Sequence, residues 1–194
     1  MKKAQIILAS ASPRRRELLD QIGIAYEVWP VDIDETPNRN EAPADYARRI
    51  AAEKSAACHR LALHQDLPVL AADTAVVLNG RIMGKPKDKE DALAMLRQLS
   101  GQTHQVLSAV SLRGRLHGEA LSVTEVTFRS ISEREMLTYW ATSEPADKAG
   151  SYAIQGLGSV FVQSIAGSFS GVVGLPLFET AELLLQQGIQ VLHE

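Results

Sequence analysis

Residues 5–16, QIILASASPRRR, run from an apolar stretch through a turn of small residues to a proline and three consecutive arginines. The apolar residues 5–9 read as a buried strand. Ser12 followed by Pro13 reads as an N-cap and first helical residue, opening a helix that ends near Gly23. Arg14, Arg15 and Arg16 then fall in the first helical turn, where free N–H groups and the positive end of the helix dipole disfavour each cation by roughly 0.3–1 kcal/mol. An anionic ligand reverses that penalty, because backbone donors, dipole and guanidinium forks would all point at the same oxygens. The alternative is a solvated basic turn with no ligand.

Strand, turn, helix is the first unit, and the pattern continues outward from it. AYEVWPV (25–31) reads as a second strand, and Pro43 begins a helical stretch reaching residue 64. Its apolar stripe comprises Ala47, Ile50, Ala51, Cys58 and Leu61, and Lys54 falls on that stripe. Residues 67–84, LPVLAADTAVVLNGRIMG, read as two strands around Asp73 with a turn at Asn79-Gly80. Asp88 caps a helix that stops at Gly101. Residues 103–131 have the alternation and turn glycines of a long antiparallel hairpin, and Ser132 with Glu135 forms a capping box for a helix to about Thr142. SVFVQSI (159–165) reads as the last strand, and Pro176 starts the amphipathic helix LFETAELLLQQ. The fold class is α/β, a curved mixed sheet with flanking helices, in a single domain over residues 1–194.

The chain has 194 residues, 45% hydrophobic and 22% charged, with a net charge of −3. That mild acidity argues against bulk nucleic-acid binding, and aromatic residues at 5% supply no stacking array. Any basic cluster is therefore local. The single cysteine, Cys58, excludes an internal disulfide and a Cys-based zinc site, which suits a reducing compartment. The short apolar run after the N-terminal lysines is too brief for a signal-peptide core or a membrane span, so no membrane association and a cytoplasmic location are expected. His59, His64, His104, His117 and His193 are scattered without metal-like spacing and read as structural or surface residues.

Three further segments carry chemistry-bearing side chains. In AADT (71–74), Asp73 sits at the end of a very apolar strand, where it caps a turn, binds a metal or works as a base. GKPKD (84–88) puts Lys85 in a Gly-Pro loop, either as an exposed turn lysine or as part of a site. Lys54 is a snorkelling lysine or a functional one. VDIDET (31–36) supplies Asp32, Asp34 and Glu35, which are a solvated loop or hard-oxygen ligands for Mg²⁺.

Together with SEPADKAGSYAIQGLGSVFVQSIAGSFSGVVGLPLFET (143–180), the segments LASASPRR, AADT and GKP resemble the Maf family of nucleoside triphosphate pyrophosphatases, in order and spacing, over essentially the whole chain. The resemblance implies a fold like that of inosine triphosphate pyrophosphatases, with two lobes around a deep cleft, and commonly a homodimer. It implies cleavage of a nucleoside triphosphate between the α and β phosphates with a divalent cation, Mg²⁺ or Mn²⁺. It assigns Ser10, Arg14 and Arg15 to the phosphate-binding turn, with Lys54 and Lys85 completing a cationic ring. Asp73 becomes the proton acceptor for the attacking water, and Glu35 an acidic residue associated with metal and water, so that Glu35 and Asp73 are the metal-binding pair. The motif requires two arginines, which leaves Arg16 free to face solvent. Asp34 adjoins Glu35, and either could point inward.

The same resemblance bears on the base. One branch acts on dTTP and UTP and carries Thr after the catalytic Asp and Gln in a Y-x-I-Q-G segment, as here with Thr74 and Tyr152-Ala153-Ile154-Gln155-Gly156. The branch preferring 7-methyl-GTP tends to have Glu at that position. An amide donates to a carbonyl and accepts from N3–H of uracil or thymine, whereas a carboxylate only accepts and suits the donors of guanine. Ala153 stands where the family more often has Gly. GSFSGVVGLPL (167–177) reads as a cleft wall or dimer-contact loop. Other readings are a house-cleaning enzyme for modified pyrimidine nucleotides and a nucleotide-binding regulator of cell division with little hydrolysis.

Overall fold

Strand β3 (Val69–Leu78) organises the protein. The computed structural model describes residues 3–62 and 66–192. A seven-stranded mixed sheet has the order β2 (Tyr26–Val28), β1 (Ile6–Leu8), β3, β5 (Thr103–Arg113), β6 (His117–Phe128) and β7 (Val162–Ala166), with β4 (Arg81–Met83) paired to β3. The pairings of β1 with β2 and with β3 are parallel; the others are antiparallel. Nine of the ten β3 residues are buried, since helices cover both faces and remove the usual alternation of apolar and polar positions.

The register of β3 creates the site. On one edge it pairs with β5 from Val69 to Val77. On the other it meets β1 only at Val69 and Leu70, and β4 only at Val76 to Leu78. The stretch 71–75 therefore has no strand neighbour on that edge, and a cleft opens in the gap. Because side chains alternate along a strand, Val69, Ala71, Ala75 and Val77 pack toward helix α2 (Pro43–Leu61), while Leu70, Ala72, Val76 and Leu78 enter the main core. Asp73 belongs to the α2 face and Thr74 to the opposite one.

Helix α2 lies close to the sheet because its inward stripe is mostly small: Ala47, Ala51, Ser55 and Cys58 are buried along with Ile50. Leu61, expected on that stripe, is 68% exposed. The stripe passes from Cys58 to Ala62 at the C-cap, and Leu61 projects beside it. Helix α2 is described to Leu61 with Ala62 as its cap, so the expected last turn to residue 64 and His64 itself fall outside the described residues, as does His193. The main core lies on the other face, where α1 (Pro13–Gln21), α3 (Lys89–Leu99), α4 (Glu133–Ala141) and α6 (Leu177–Gln186) contribute Leu19, Leu96, Met136 and Leu184 among others.

Locally encoded features form as the sequence predicts. Asp88 caps α3 by accepting from Asp91 N, and Ser132 and Glu135 make both hydrogen bonds of the capping box. The β5–β6 hairpin pairs from Thr103↔Thr127 to Arg113↔His117. Three expectations are corrected. Asp73 lies within one continuous strand instead of at its end, since Lys54 compensates its charge there. SVFVQSI is strand only from Val162, because Leu157–Phe161 form a 3-10 turn whose Leu157 and Gly158 N–H groups bond to Glu144. The second strand covers only Tyr26–Val28 of the expected 25–31, whereas α6 begins at Leu177 as expected, with Pro176 as its N-cap.

Candidate active site

Lys54 projects from α2 toward the gap in the sheet and holds two carboxylates. Its Nζ is 2.9 Å from Asp73 Oδ1 and 2.7 Å from Glu35 Oε1. The side chains of Lys54 and Asp73 are 11% and 10% exposed, that of Glu35 49%. Buried charges of this kind persist only when paired. The Tyr46 hydroxyl donates to the Glu35 carbonyl oxygen at 3.1 Å, fastening the irregular segment 29–42 to α2. Burial, followed by the nearby Asp73 and Glu35 charges, pushes the Tyr46 phenol up to about 12, so it stays a neutral donor. Asp34 instead accepts from Thr36 N at 2.9 Å, is held below its ordinary value chiefly by hydrogen bonds from Thr36, and lies outside the cleft lining. Of the two neighbouring acids, Glu35 faces the site.

The arginine turn that follows β1 lines the same cleft. Ser12 takes the N-cap position, but its side chain makes no capping bond. Ser10 Oγ takes over locally, accepting from Ser12 N at 3.2 Å and from Arg15 Nη1 at 3.0 Å. Arg15 Nε donates to the Gly174 carbonyl at 2.9 Å. Burial pushes the Arg15 guanidinium below its ordinary value, opposed first by the attraction of Asp73. Gly174 has φ +135°, a backbone conformation that residues with a Cβ rarely adopt, and that conformation presents its carbonyl to Arg15. Arg14 lines the same cleft; Arg16 is exposed and outside it.

Lys85 lies on the exposed loop after β4 and borders the cleft. Thr74 Oγ1 is 3.0 Å from Ser108 Oγ, which donates to the Gly171 carbonyl at 2.5 Å, so Thr74 and the 167–177 segment are linked. That segment contains the short helix α5 (Phe169–Val173), and Val172, Val173 and Gly174 make it a cleft wall. Gln155 is exposed on the turn after Ile154 and also borders the cleft. Ala153 is not among the residues with positive φ, so the position accepts a Cβ without backbone strain.

All nine candidate residues thus line a single cleft of about 590 Å³. Sequence reasoning missed several partners. Tyr46 stands at i, i+4, i+8 with Ile50 and Lys54, a spacing that could have found it. Lys148, ion-paired with Asp147, adds a cation at the cleft wall, and nothing in its local sequence sets it apart from the rest of the 143–180 segment. Five cationic side chains, Arg14, Arg15, Lys54, Lys85 and Lys148, face three carboxylates there, Glu35, Asp73 and Asp147. The excess is positive and suits a polyanion. His104 is buried, whereas His59 and His117 are not, and none of the three lines the cleft.

Among the described residues no group of three or more His, Cys, Asp or Glu side chains could hold a metal ion. Glu35 and Asp73 form a two-carboxylate donor set open to a cationic cleft. That set fits a hard cation held by one or two carboxylates plus substrate phosphates, and does not fit an all-protein cage.

A sequence profile described as Maf-like protein matches residues 5–187. A dTTP/UTP pyrophosphatase from Methylococcus capsulatus is 56% identical over 186 residues, covering 95% of this chain and 92% of its own. A dTTP/UTP pyrophosphatase from Saccharophagus degradans is 54% identical over 184 residues, covering 93% and 88%. Among solved structures, a HAM1 protein from Coxiella burnetii aligns at 17% identity with a TM-score of 0.44, over 65% of this chain and 73% of that one.

Proposed function

The chain belongs to the Maf family, and on that premise we propose that it is a hydrolase that cleaves dTTP and UTP to the nucleoside monophosphate and pyrophosphate. The observation that carries the reading is the Lys54 bridge between Asp73 and Glu35, set in the same cleft as Arg15. The triphosphate lies along the cationic wall, with Arg14 and Arg15 as guanidinium forks and Lys54, Lys85 and Lys148 as point charges. Asp73 accepts a proton from the water that attacks the α-phosphorus, and pyrophosphate leaves as the α–β bridging bond breaks. Lys54 orients Asp73 before attack and supplies positive charge near the phosphates afterwards. Glu35 and Asp73 are the residues that would hold Mg²⁺ or Mn²⁺, whose chemistry here is to offset charge building on the phosphate oxygens. Gln155 faces the base, its amide donating to one carbonyl and accepting from N3–H.

The finer picture is of a cytoplasmic homodimer. Exposed Phe169 and Phe178, 52% and 75% accessible, offer apolar surface beside the 167–177 segment for a second copy. No helix among the described residues is long and apolar enough to cross a membrane.

The test is incubation of the purified protein with Mg²⁺ or Mn²⁺ and a panel of dTTP, UTP, CTP, GTP, 7-methyl-GTP and modified pyrimidine triphosphates, with chromatographic measurement of monophosphate and pyrophosphate. Rapid cleavage of dTTP and UTP is the expected result. A 7-methyl-GTP preference overturns the assignment of the base, and no hydrolysis overturns the enzyme.

A further inference from the structure

The turn that carries Gln155 is held from behind by two residues that do not line the cleft. Tyr139, 4% exposed on α4, accepts at its hydroxyl from Ala153 N at 3.0 Å and donates to Glu144 Oε1 at 2.7 Å. Glu144 accepts from Leu157 N at 2.9 Å and from Gly158 N at 3.0 Å. The pair therefore grips the chain two residues before Gln155 and two and three residues after it. Both grips share one hydrogen bond, so the two ends of the turn are spaced by a single phenol–carboxylate unit.

The glycines show how tight the fit is. A Cβ on Gly156 would lie 2.2 Å from Glu144 Oε2, and one on Gly158 would lie 2.6 Å from the Tyr139 hydroxyl and 2.9 Å from the Ala153 carbonyl oxygen. The Glu144 carboxylate is ionised near neutrality: burial pushes its pKa up, but hydrogen bonds from Tyr139, Gly158 and Leu157 outweigh that and leave it below the ordinary value. Ring packing fixes the phenol, since the Tyr139 and Phe161 centroids are 5.1 Å apart in an edge contact.

We propose that Tyr139 and Glu144 form a clamp that positions Gln155 for base recognition, so that the base end of the cleft is set independently of the phosphate end. The proposal rests on the reading of Gln155 given above. An exposed Gln on a free turn would lose rotamer and backbone entropy on meeting the base; a turn fixed at both ends has already lost most of the backbone part. Only a carboxylate can accept from all three donors without offering an N–H to any of them. The amide of Glu144→Gln has one acceptor oxygen and leaves a backbone donor facing its NH₂ group.

The experiment compares Gln155→Ala, Glu144→Gln, Tyr139→Phe and the double variant Glu144→Gln/Gln155→Ala in the full-length protein. The readouts are kcat and KM for UTP and the inhibition constant of inorganic tripolyphosphate, which has no base. Each single variant is expected to raise KM for UTP about tenfold, the scale of the one or two neutral hydrogen bonds between the Gln155 amide and the base. Tripolyphosphate inhibition and kcat should stay within about twofold, and the double variant should match Gln155→Ala alone, because a positioning residue has nothing left to position. If Gln155→Ala leaves KM unchanged, base reading by Gln155 falls and the clamp with it. If Gln155→Ala raises KM while Glu144→Gln and Tyr139→Phe do not, the clamp alone is overturned. Equal weakening of tripolyphosphate, or additive effects in the double variant, also overturns it by showing a general structural role. Should Glu144→Gln fail to fold, Tyr139→Phe carries the same comparison with its ring packing retained.

Discussion

Lys54 and Asp73 are joined through 2.9 Å across the boundary between helix and sheet, with both side chains nearly closed to solvent. Each is where it is for a periodic reason: Lys54 continues the inward ridge of α2, and Asp73 occupies the α2-facing alternation of β3. Replacing Asp73 by Asn keeps the shape but removes the proton acceptor. We expect kcat to fall by at least about 10²-fold, the lower range for loss of a general base. Triphosphate binding, followed by equilibrium titration, should persist or tighten because a negative charge has left the cleft. An unchanged rate removes Asp73 as the base.

Arg15 and Arg16 are neighbours in sequence with opposite environments. Arg15 is fixed by Ser10 and Gly174, whereas Arg16 is exposed outside the cleft. Arg15→Lys retains a charge but cannot make both contacts while engaging a phosphate. Its kcat/KM for UTP should drop about 10- to 100-fold, whereas Arg16→Ala should change it by less than about twofold, as an isolated surface substitution does. Comparable losses in the two variants contradict this division of roles.

Gln155→Glu exchanges an amide for a group that can only accept. The kcat/KM for dTTP and UTP should fall about tenfold or more, and guanine nucleotides should gain relative to them. A substrate profile that does not move shows that Gln155 does not read the base.

His104 gives the fold a pH signature separate from the chemistry. Its Nε2 lies 2.8 Å from the Tyr152 hydroxyl, its Nδ1 has no hydrogen-bond partner among the described residues, and burial pushes its pKa from 6.5 down to about 4. The folded state therefore disfavours the protonated ring. Above pH 6.5 both states hold it neutral and there is no penalty; as pH falls from 6.5 toward 4 the unfolded state takes up the proton first, and stability declines by up to about 3 kcal/mol. His104→Gln should flatten the melting temperature against pH in that window, so that its deficit relative to the parent narrows on acidification. Parallel curves would refute the assignment.

What could be read from the sequence was what is encoded locally. The Ser12-Pro13 helix start, the Asp88 cap, the Ser132–Glu135 box and the β5–β6 hairpin each depend on residues within a turn of one another. An acid inside an apolar run looks like a strand boundary, but the charge that compensates Asp73 comes from Lys54, 19 residues earlier. Periodicity alone puts Leu61 inside, because it cannot see where the sheet beneath the helix ends. The nine site residues were legible as a set through family resemblance, since the contacts that gather them are long-range. Arg15 to Gly174 spans 159 positions, and no local pattern announces it. Tyr139 and Glu144 stayed hidden for a related reason: their partners are backbone N–H groups, which every sequence has.

The gap along one edge of β3 divides the carboxylate pair between two regimes of motion. Asp73 is registered against Ala109 in the middle of the longest-buried strand, whereas Glu35 sits in a segment with no helix or strand, tethered through Tyr46 and Lys54. Amides of β3 that bond to β5 exchange with solvent only when the sheet comes apart, whereas those of the second region exchange through local opening. Mild denaturant is therefore expected to release Glu35 before Asp73, so that hydrolysis fades while the sheet is still intact.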